Sequence, residues 1–410
     1  MPRLQIHSEV GRLRSVLMHT PGRELALIPP HLRGYFLTED ILYDPAAREH
    51  HLIIQEVIRR CGVAVFQFRD LLHSILDEED SRRGCLRRLN PLDNGSCWRL
   101  FEADTNSLVL YLIEGDGIKG VPSIDPIPNV AFQRDIGMIV GDTAITASMK
   151  EPVRGRESAL FRAIVDYHPD FTDIRKDISM RHHIEGGDVC VVNSEIVVIG
   201  YGHRTEAIAA FILAEKLLER GFKTVLAVQQ PNGREHMHLD TVFTLISESE
   251  CLAYAPFIRG SSRIGLSAPT ISVFSRGDNS EVARVKIVED CNLLECLAEL
   301  GVKLTPIFCG GGDGDHILAD REQWWDGVNA FAVAPGKVLL YDRNVATLAA
   351  LEKSNYSIHA VSTIEDARSI CEDEERVVYT VPSYELCRAR GSVHCLTMPL
   401  CRDNPFVETK

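Results

Sequence analysis

A histidine and an aspartate stand two positions apart in His238-Leu239-Asp240, just before a segment of strand-like composition that begins at Thr241. Because side chains alternate faces along a strand, the pattern predicts that His238 and Asp240 point to the same side. An imidazole and a carboxylate on one face suit general acid–base catalysis or a metal site. Taken alone, such a pair is more typical of a satisfied ion pair inside a core.

Two glycines separate a second pair of ionisable residues in Glu185-Gly186-Gly187-Asp188. Glycine allows backbone angles and close approaches that other residues do not. The segment therefore predicts that Glu185 and Asp188 project into a cleft. An ordinary turn is the alternative interpretation.

Cys395 follows His394 and lies close in sequence to Arg388 and Arg390. The thiolate is the reactive form of cysteine, and neighbouring positive charge favours it. The chain has 12 cysteines. None forms a C-x-x-C pair, so free thiols in a reducing compartment, mostly buried as small hydrophobic residues, are the simplest expectation. Cys395 is the candidate nucleophile among them.

An arginine, Arg204, stands where a helix over residues 205–220 is predicted to begin. Free N–H groups and the helix dipole already favour anions at that end. Arg204 and the helix terminus could share a carboxylate, or Arg204 could be a solvated surface residue.

Several classes of function are disfavoured. The segment 310–313, Gly-Gly-Gly-Asp, lacks the Lys-Ser/Thr of a phosphate-binding loop, and the chain has no G-x-S-x-G elbow. No cysteine and histidine spacing fits a zinc site. With 44 basic and 58 acidic residues the net charge is −14. That charge disfavours nucleic acid and anionic membranes and mildly favours a small cationic substrate.

Short apolar strands alternate with amphipathic helices along the 410 residues. Helical spacing predicts a helix over 46–61, ended by Gly62, and then a strand over 63–68. Two strand-like runs joined by Asn193-Ser194 predict a β-hairpin, and residues 223–228 predict a further strand. The class is α/β. We expect one catalytic domain over residues 1–410, with a mainly helical insertion near 70–122.

No apolar run reaches the roughly 18 residues that a membrane helix needs. The first residues also lack the apolar core of a signal peptide. Together with the cysteine usage, these features predict a cytoplasmic protein.

In their order along the chain, these segments resemble the arginine deiminase family of the guanidine-modifying (pentein) superfamily. The resemblance runs nearly end to end. Its motifs are His7-Ser-Glu-Val-Gly-Arg, His19-Thr-Pro-Gly-Arg-Glu, Pro128-Asn, Phe132-Gln-Arg-Asp, Glu185-Gly-Gly-Asp, Met237-His-Leu-Asp-Thr, the 310–313 segment, Arg321-Glu-Gln-Trp, Asp326-Gly, Asn329, Tyr341-Asp-Arg-Asn and Arg388-Ala-Arg-Gly-Ser-Val-His-Cys.

The resemblance implies a five-bladed α/β propeller that hydrolyses L-arginine to L-citrulline and ammonia without metal or cofactor. It also implies a homo-oligomer, a dimer or larger. By motif, Cys395 would be the nucleophile and His238 the general acid and base, held by Glu185. The remaining implied site residues are Asp135 and Asp240 for the guanidinium, Asn129, Arg154 and Arg204 for the α-carboxylate end, Phe132 beside the aliphatic stem, Arg390 in the loop over the site, and Asp188 at the substrate.

Some positions depart from the family's pattern. Ala389 replaces a glycine in the loop before Cys395, and Gly202-His203 replaces Ser-Glu. These changes bear on the α-end of the substrate and leave three alternatives open: amidino transfer, double hydrolysis to ornithine, and deimination of a modified arginine. A non-catalytic binding protein of the same fold predicts a broken nucleophile or base, whereas Cys395 and His238 are both present.

Overall fold

The computed structural model describes residues 4–89, 97–176, 178–261, 265–276, 284–288, 292–312, 316–370 and 374–405. The strands are β1 Leu13–Met18, β2 Ala64–Gln67, β3 Gly137–Val140, β4 Thr143–Thr146, β5 Val189–Val191, β6 Ile196–Tyr201, β7 Thr224–Gln229, β8 Phe243–Leu245, β9 Glu250–Ala253, β10 Ile271–Ser275, β11 Arg284–Val288, β12 Thr305–Phe308, β13 Phe331–Ala334, β14 Lys337–Tyr341, β15 Ser357–Ala360, β16 Val377–Val381 and β17 Met398–Arg402.

The helices alternate with these strands through most of the chain, as expected of a mixed α/β protein. They are α1 Arg23–Ala26, α2 Asp44–Arg60, α3 Phe68–Asp77, α4 Glu79–Leu89, α5 Cys97–Glu102, α6 Thr105–Glu114, α7 Gly155–Tyr167, α8 Ala207–Glu219, α9 Ala255–Arg259, α10 Leu293–Glu299, α11 His316–Trp324, α12 Val345–Lys353 and α13 Ile364–Arg368. No helix within the described residues is long and apolar enough to cross a bilayer.

The described strands form five sheets, with strand orders β17-β1-β2, β11-β10-β7-β6-β5, β12-β9-β8, β13-β14-β16-β15 and β3-β4. Both parallel and antiparallel pairs occur, for example β6 with β7 and β10 with β7. The α/β class is confirmed. The closure of these sheets into a five-bladed propeller stays a prediction.

Local sequence explains several of these elements. Helix α2 buries Ile53, Ile54 and Val57, and Gly62 follows its end with a φ of 76°. That left-handed angle is readily adopted by glycine, so the chain can turn there into β2. The predicted helix and strand are both confirmed.

The predicted hairpin is formed by β5 and β6, which pair antiparallel. Asn193 Oδ1 accepts the backbone N–H groups of Glu195 at 2.8 Å and Ile196 at 2.9 Å. This side-chain turn reverses the chain where the sequence placed Asn193-Ser194. The 185–188 segment leads directly into β5, the first strand of this hairpin.

The prediction for the His238 segment is wrong in its local structure. Residues Leu239–Thr241 form a 3-10 turn, and the strand begins only at Phe243. His238 and Asp240 therefore reach the site from a tight turn and not from one face of a strand. Strand-like composition beyond Thr241 concealed the turn.

Four helices, α3 to α6, lie in the described part of the 70–122 segment, and residues 90–96 fall outside the described residues. Their apolar faces join one cluster with α7 through Leu72, Ile75, Leu108 and Leu112. The segment is helical where it is described. Its interpretation as an insertion in a single domain over 1–410 stays a prediction.

The two ends of the chain meet in the first sheet. Strand β1 pairs antiparallel with β17 and parallel with β2. Further outward, the N–H of Gln5 donates to the carbonyl of Leu400 at 3.0 Å. This pairing brings the residues between Gln5 and β1 close to the segment that carries Cys395.

The contact between β3 and α7 provides a test of this packing. A Cβ added at Gly137 would lie 2.2 Å from the Phe161 ring, whereas a Cβ at Gly155 meets nothing within 4 Å. Gly137→Ala should therefore lower the free energy of unfolding by about 1–3 kcal/mol, the usual range for overpacking. The matched control, Gly155→Ala at the first position of α7, should be neutral or slightly stabilising. Urea unfolding measures both variants, and equal losses would contradict the predicted packing.

Candidate active site

Separate segments of the chain bring the predicted site residues into the interior, and all of them are buried. The buried residues are Asn129, Phe132, Asp135, Arg154, Glu185, Asp188, Arg204, His238, Asp240, Arg390 and Cys395. Burying so many charges is costly unless each one has an opposite partner or a ligand. The pairing of these charges therefore shows what the site is built to hold.

His238 lies between two carboxylates. Its Nε2 is 2.8 Å from Glu185 Oε2, and its Nδ1 is 3.5 Å from Asp135 Oδ1. Burial alone would lower the pKa of His238, but the charges of Asp135 and Glu185 outweigh it and raise that pKa to about 9. His238 is thus a protonated acid at neutral pH.

Gly187 permits this close arrangement. A Cβ on Gly187 would lie 2.8 Å from the imidazole of His238. A Cβ on Gly186 would lie 2.1 Å from the carbonyl oxygen of Arg134, the residue before Asp135. Packing therefore requires glycine at both positions before Asp188. The sequence indicated a close approach at these glycines but not the residue that approaches.

Glu185 is anchored at both oxygens. Oε1 accepts the backbone N–H of Lys150 at 3.0 Å, while Oε2 faces His238 and lies 3.5 Å from Arg204 Nη1. Burial opposes its ionisation, but the hydrogen bond with His238 and the charge of Arg204 lower the pKa of Glu185 to about 2. It is a fixed negative charge at any ordinary pH.

Asp240 stands beside the cysteine. Its Oδ2 lies 3.6 Å from Cys395 Sγ and 2.8 Å from Nδ1 of His394. Burial and the negative charges of Asp240, Asp135 and Asp326 raise the pKa of the Cys395 thiol well above its usual range. The cysteine is therefore held as a thiol until a positive charge enters.

The loop around the cysteine depends on Asn329. Its Oδ1 accepts the backbone N–H groups of Ser392 at 3.0 Å and Cys395 at 3.1 Å, and its Nδ2 donates to the carbonyl of Asp240 at 3.1 Å. One amide side chain thus fixes the distance between the Cys395 and Asp240 segments.

Asp188 contacts the backbone of the turn that follows His238. Its Oδ1 accepts from Gln230 Nε2 and from the N–H of Leu239, and its Oδ2 accepts from the Thr205 hydroxyl, at 2.6, 2.9 and 2.6 Å. Burial raises its pKa to about 6 despite these hydrogen bonds. The geometry favours a structural role for Asp188, with both oxygens occupied by the protein.

Arg154 was expected at the carboxylate end of the substrate, but its side chain is already fully paired. Its Nη1 is 2.6 Å from Asp135 Oδ2, its Nε donates to Glu157 at 3.0 Å, and its Nη2 donates to the carbonyl of Asn129 at 3.2 Å. Arg154 therefore orients Asp135. Asn129 is also engaged, because its Nδ2 donates to the carbonyl of Phe36 at 2.8 Å.

Arg204 and Arg390 are buried arginines that meet carboxylates as ion pairs without hydrogen bonds: Arg204 Nη1 lies 3.5 Å from Glu185 Oε2, and Arg390 Nε lies 3.7 Å from Asp326 Oδ1. Nε and Nη1 of Arg204, and all three nitrogens of Arg390, lack a hydrogen-bond partner within the described residues. Arg390 has a φ of 67° and stacks on Trp324, with its guanidinium carbon 4.1 Å from the ring centroid. Phe132 borders the same loop, because a Cβ on Gly391 would meet its ring at 2.7 Å.

Two buried carboxylate oxygens of the site also accept no hydrogen bond from the described part of the chain. Among the described residues, Oδ1 of Asp135 and Oδ1 of Asp240 have no hydrogen-bond donor. Carboxylate oxygens of this kind recognise a planar guanidinium through paired hydrogen bonds. Within the described residues, the site therefore has carboxylate oxygens near Cys395 that accept no hydrogen bond, and N–H groups of Arg204 and Arg390 that donate none.

Among the residues that the structure describes, one group of side chains has ligand atoms close enough to hold a metal ion. Atoms of Asp135, Glu185 and His238 lie within 4.8 Å of one another. However, Arg154 already contacts Asp135, and Arg204 faces Glu185. These guanidinium groups stand where they would repel a cation, so the donor set fits poorly with a resident metal.

Several residues that surround the site have roles that the sequence did not indicate. Asn329, Asp326 and Trp324 lie in or beside motifs that carried the resemblance, but nothing local indicated their partners. Asp326 Oδ2 accepts the N–H of Gly391 at 2.9 Å. His394 was noted only as nearby positive charge, and its contact with Asp240 was not anticipated.

Known solved structures share the fold. The N-terminal domain of ArgZ, an arginine dihydrolase from Cyanobacteria, has a TM-score of 0.54 at 15% identity, covering 95% of this chain and 97% of that one. SxtG, an amidinotransferase from Microseira wollei, has a TM-score of 0.54 at 12% identity, covering 98% and 97%. A dimethylarginine dimethylaminohydrolase has a TM-score of 0.52 at 14% identity, covering 94% and 99%.

Sequence comparison is more specific. The family model of arginine deiminase matches residues 111–402. The arginine deiminase of Clostridium perfringens is 31% identical, with 98% of each chain aligned. That of Bacillus cereus is 32% identical, covering 97% of this chain and 98% of the relative. The chain therefore belongs to the arginine deiminase family.

Proposed function

We propose that this enzyme hydrolyses the guanidinium group of L-arginine to give L-citrulline and ammonia. The observation that carries the proposal is the distribution of unused hydrogen-bonding groups around Cys395. Free carboxylate oxygens on Asp135 and Asp240 suit a guanidinium, and free donors on Arg204 and Arg390 suit an α-carboxylate. The family membership supports the same substrate.

Substrate binding supplies the missing positive charge. The guanidinium would take hydrogen bonds from its N–H groups to Asp135 and Asp240, placing its central carbon beside Cys395. Its charge would offset the carboxylates that keep the thiol protonated, so the pKa of Cys395 would fall when the substrate is bound. The nucleophile would thus be activated by the molecule that it attacks.

In the first half of the reaction, binding of the cationic substrate releases the thiol proton of Cys395 to solvent, and the Sγ thiolate forms a bond to the guanidinium carbon. His238, protonated between Asp135 and Glu185, gives its proton to the departing nitrogen, and ammonia leaves. A covalent thiouronium remains on Cys395. No external oxidant or cofactor enters this balance.

In the second half, His238 is neutral and can accept a proton. A water molecule adds to the thiouronium carbon while His238 takes the proton from it. The bond between carbon and sulfur then breaks while the hydroxyl of the adduct gives its proton to the departing sulfur, which releases citrulline and restores the Cys395 thiol and the protonated His238. Glu185 keeps the imidazole in place throughout.

The finer architecture belongs to the same proposal. We infer one catalytic domain over 1–410 with a helical insertion near 70–122, and closure of the sheets into a five-bladed propeller. We further infer a cytoplasmic enzyme that assembles as a homo-oligomer. The five described sheets and the family membership support this interpretation.

A product assay tests the reaction directly. Incubation with L-arginine should give citrulline and ammonia in equal amounts, and Cys395→Ala should lower kcat by at least about 10⁴-fold because the nucleophile is lost. Citrulline, ornithine and ammonia are measured together. Ornithine with two ammonia per arginine would establish double hydrolysis instead, and amidino transfer would require an added amine acceptor.

The pH dependence of kcat should show a limb near pH 9. His238 must be protonated to release ammonia, so kcat should fall as pH rises through its pKa of about 9. Glu185→Gln removes a charge that raises that pKa, so the limb should move to lower pH. Glu79→Gln, on the exposed surface of α4, is the matched control. An unchanged limb in the Glu185 variant would show that another group controls it.

The α-carboxylate should contribute strongly to recognition. Agmatine lacks this group, so its kcat/KM should be about 30- to 5,000-fold below that of arginine, the range for truncating one partner of a buried charge pair. Arg204→Met should reduce kcat/KM for arginine far more than for agmatine. Equal losses with both substrates would place the carboxylate away from Arg204.

A further inference from the structure

His394, the residue before the nucleophile, lies between two buried carboxylates. Its Nδ1 is 2.8 Å from Asp240 Oδ2, and its Nε2 is 3.6 Å from Glu9 Oε2. The catalytic scheme above uses neither His394 nor Glu9. Both are buried within the protein.

Glu9 is itself held by Arg134. Arg134 Nη1 lies 3.2 Å from Glu9 Oε1, and the backbone N–H of Arg134 donates to the carbonyl of Cys395 at 3.0 Å. Burial opposes ionisation of Glu9, but the charges of Arg134 and His394 hold its pKa well below the usual range. The carboxylate of Glu9 is therefore a permanent charge behind His394.

The contact with His394 decides how the carboxylate of Asp240 is oriented. Oδ2 of Asp240 is hydrogen-bonded to Nδ1 of His394, and the same oxygen lies 3.6 Å from Cys395 Sγ. Oδ1 of Asp240 is left without a donor among the described residues. Without His394, the carboxylate could rotate and would no longer hold a free oxygen toward the substrate.

We infer that His394 is a positioning residue for the reaction, which bridges Glu9 and Asp240 and holds Asp240 in the orientation that receives the guanidinium. The inference rests on the proposed function, since it assigns Asp240 to the substrate. A chain of side-chain contacts thus runs from Arg134 through Glu9 and His394 to Asp240, and ends beside the Cys395 sulfur.

Other charged groups also act on this chain. Arg402 is buried near Glu9, and His238 acts electrostatically on Asp240. Phe331 packs against the His394 ring edge to face, with the ring centroids 6.1 Å apart. Burial opposes ionisation of Asp240, but its hydrogen bond and electrostatic interaction with His394 lower the pKa of that carboxyl. The charge of Asp240 in turn disfavours the Cys395 thiolate. Loss of His394 should therefore raise the pH at which Cys395 ionises.

Two substitutions separate the contacts of His394. The amide nitrogen of Asn lies as many bonds from Cα as Nδ1 of His, and that of Gln as many as Nε2. His394→Asn can therefore still donate to Asp240, while His394→Gln can reach only Glu9. Both variants remove the positive charge and have a similar size.

If His394 positions Asp240, His394→Gln should lower kcat for arginine about 100-fold, the scale of a misplaced reacting group. His394→Asn should retain kcat within about tenfold of the parent enzyme, because the donor to Asp240 is kept. His168→Asn replaces a buried histidine that accepts the N–H of Asp170 near the end of α7, and kcat should be unchanged there. Thermal unfolding of each variant shows whether it is folded.

A second measurement does not need turnover. The rate at which iodoacetamide, a neutral reagent, alkylates Cys395 is followed against pH by mass spectrometry of its peptide. The midpoint should move to higher pH in both His394 variants and stay in place in His168→Asn. This shift would support the electrostatic part of the inference even if arginine proved not to be the substrate.

The inference is overturned if folded His394→Gln keeps kcat within about threefold of the parent, or if the Asn and Gln variants lose equal activity. An unmoved alkylation midpoint in both variants would also overturn it. Failure of the parent enzyme to convert arginine would instead refute the proposed function, and the alkylation profile would still decide the role of His394.

Discussion

The structure depends on balancing buried negative charge. Asp135, Glu185 and Asp240 lie in the interior around one cysteine, where an uncompensated carboxylate costs several kcal/mol. Arg154 and His238 supply part of the compensating positive charge. Arg204 faces Glu185, and His394 contacts Asp240. A cationic ligand would meet the oxygens of Asp135 and Asp240 that accept no hydrogen bond within the described residues.

This balance also governs the reactivity of the cysteine. Negative charges around Cys395 raise the pKa of its thiol, and the same charges raise that of His238 to about 9. The resting site thus stores a protonated acid and a protonated nucleophile together. A cationic substrate would lower the pKa of the Cys395 thiol while His238 stays protonated, so the thiol would be activated only when the leaving group has a proton donor in place.

The fold supports the site through contacts between distant segments. Pairing of β1 with β17 brings Glu9 to the back of the Cys395 segment, and Asn329 fixes that segment to the Asp240 turn. Asp188 holds the His238 turn from below through Leu239. The proposed catalytic groups therefore stand on short turns whose backbones are held by buried side chains, which limits the motion of each group relative to the others.

The sequence by itself determined the α/β class, several helices and strands, the β5–β6 hairpin and the family. Ordered motifs also identified Cys395, His238, Glu185, Asp135 and Asp240 as site candidates, because their residue types suit guanidinium chemistry. The prediction of a strand at His238 was wrong. The composition is strand-like from Thr241 onward, but Leu239–Thr241 form a 3-10 turn and the strand begins at Phe243.

Only the tertiary structure decided how the charges are paired. Arg154 proved to contact Asp135 and Glu157, Asp188 proved to support a turn, and His394 proved to join Asp240 to Glu9. These partners lie far apart in the chain, and local sequence does not encode which carboxylate a given guanidinium meets. Three-dimensional packing makes that choice, since the energy of a buried charge depends on distances that no sequence spacing specifies.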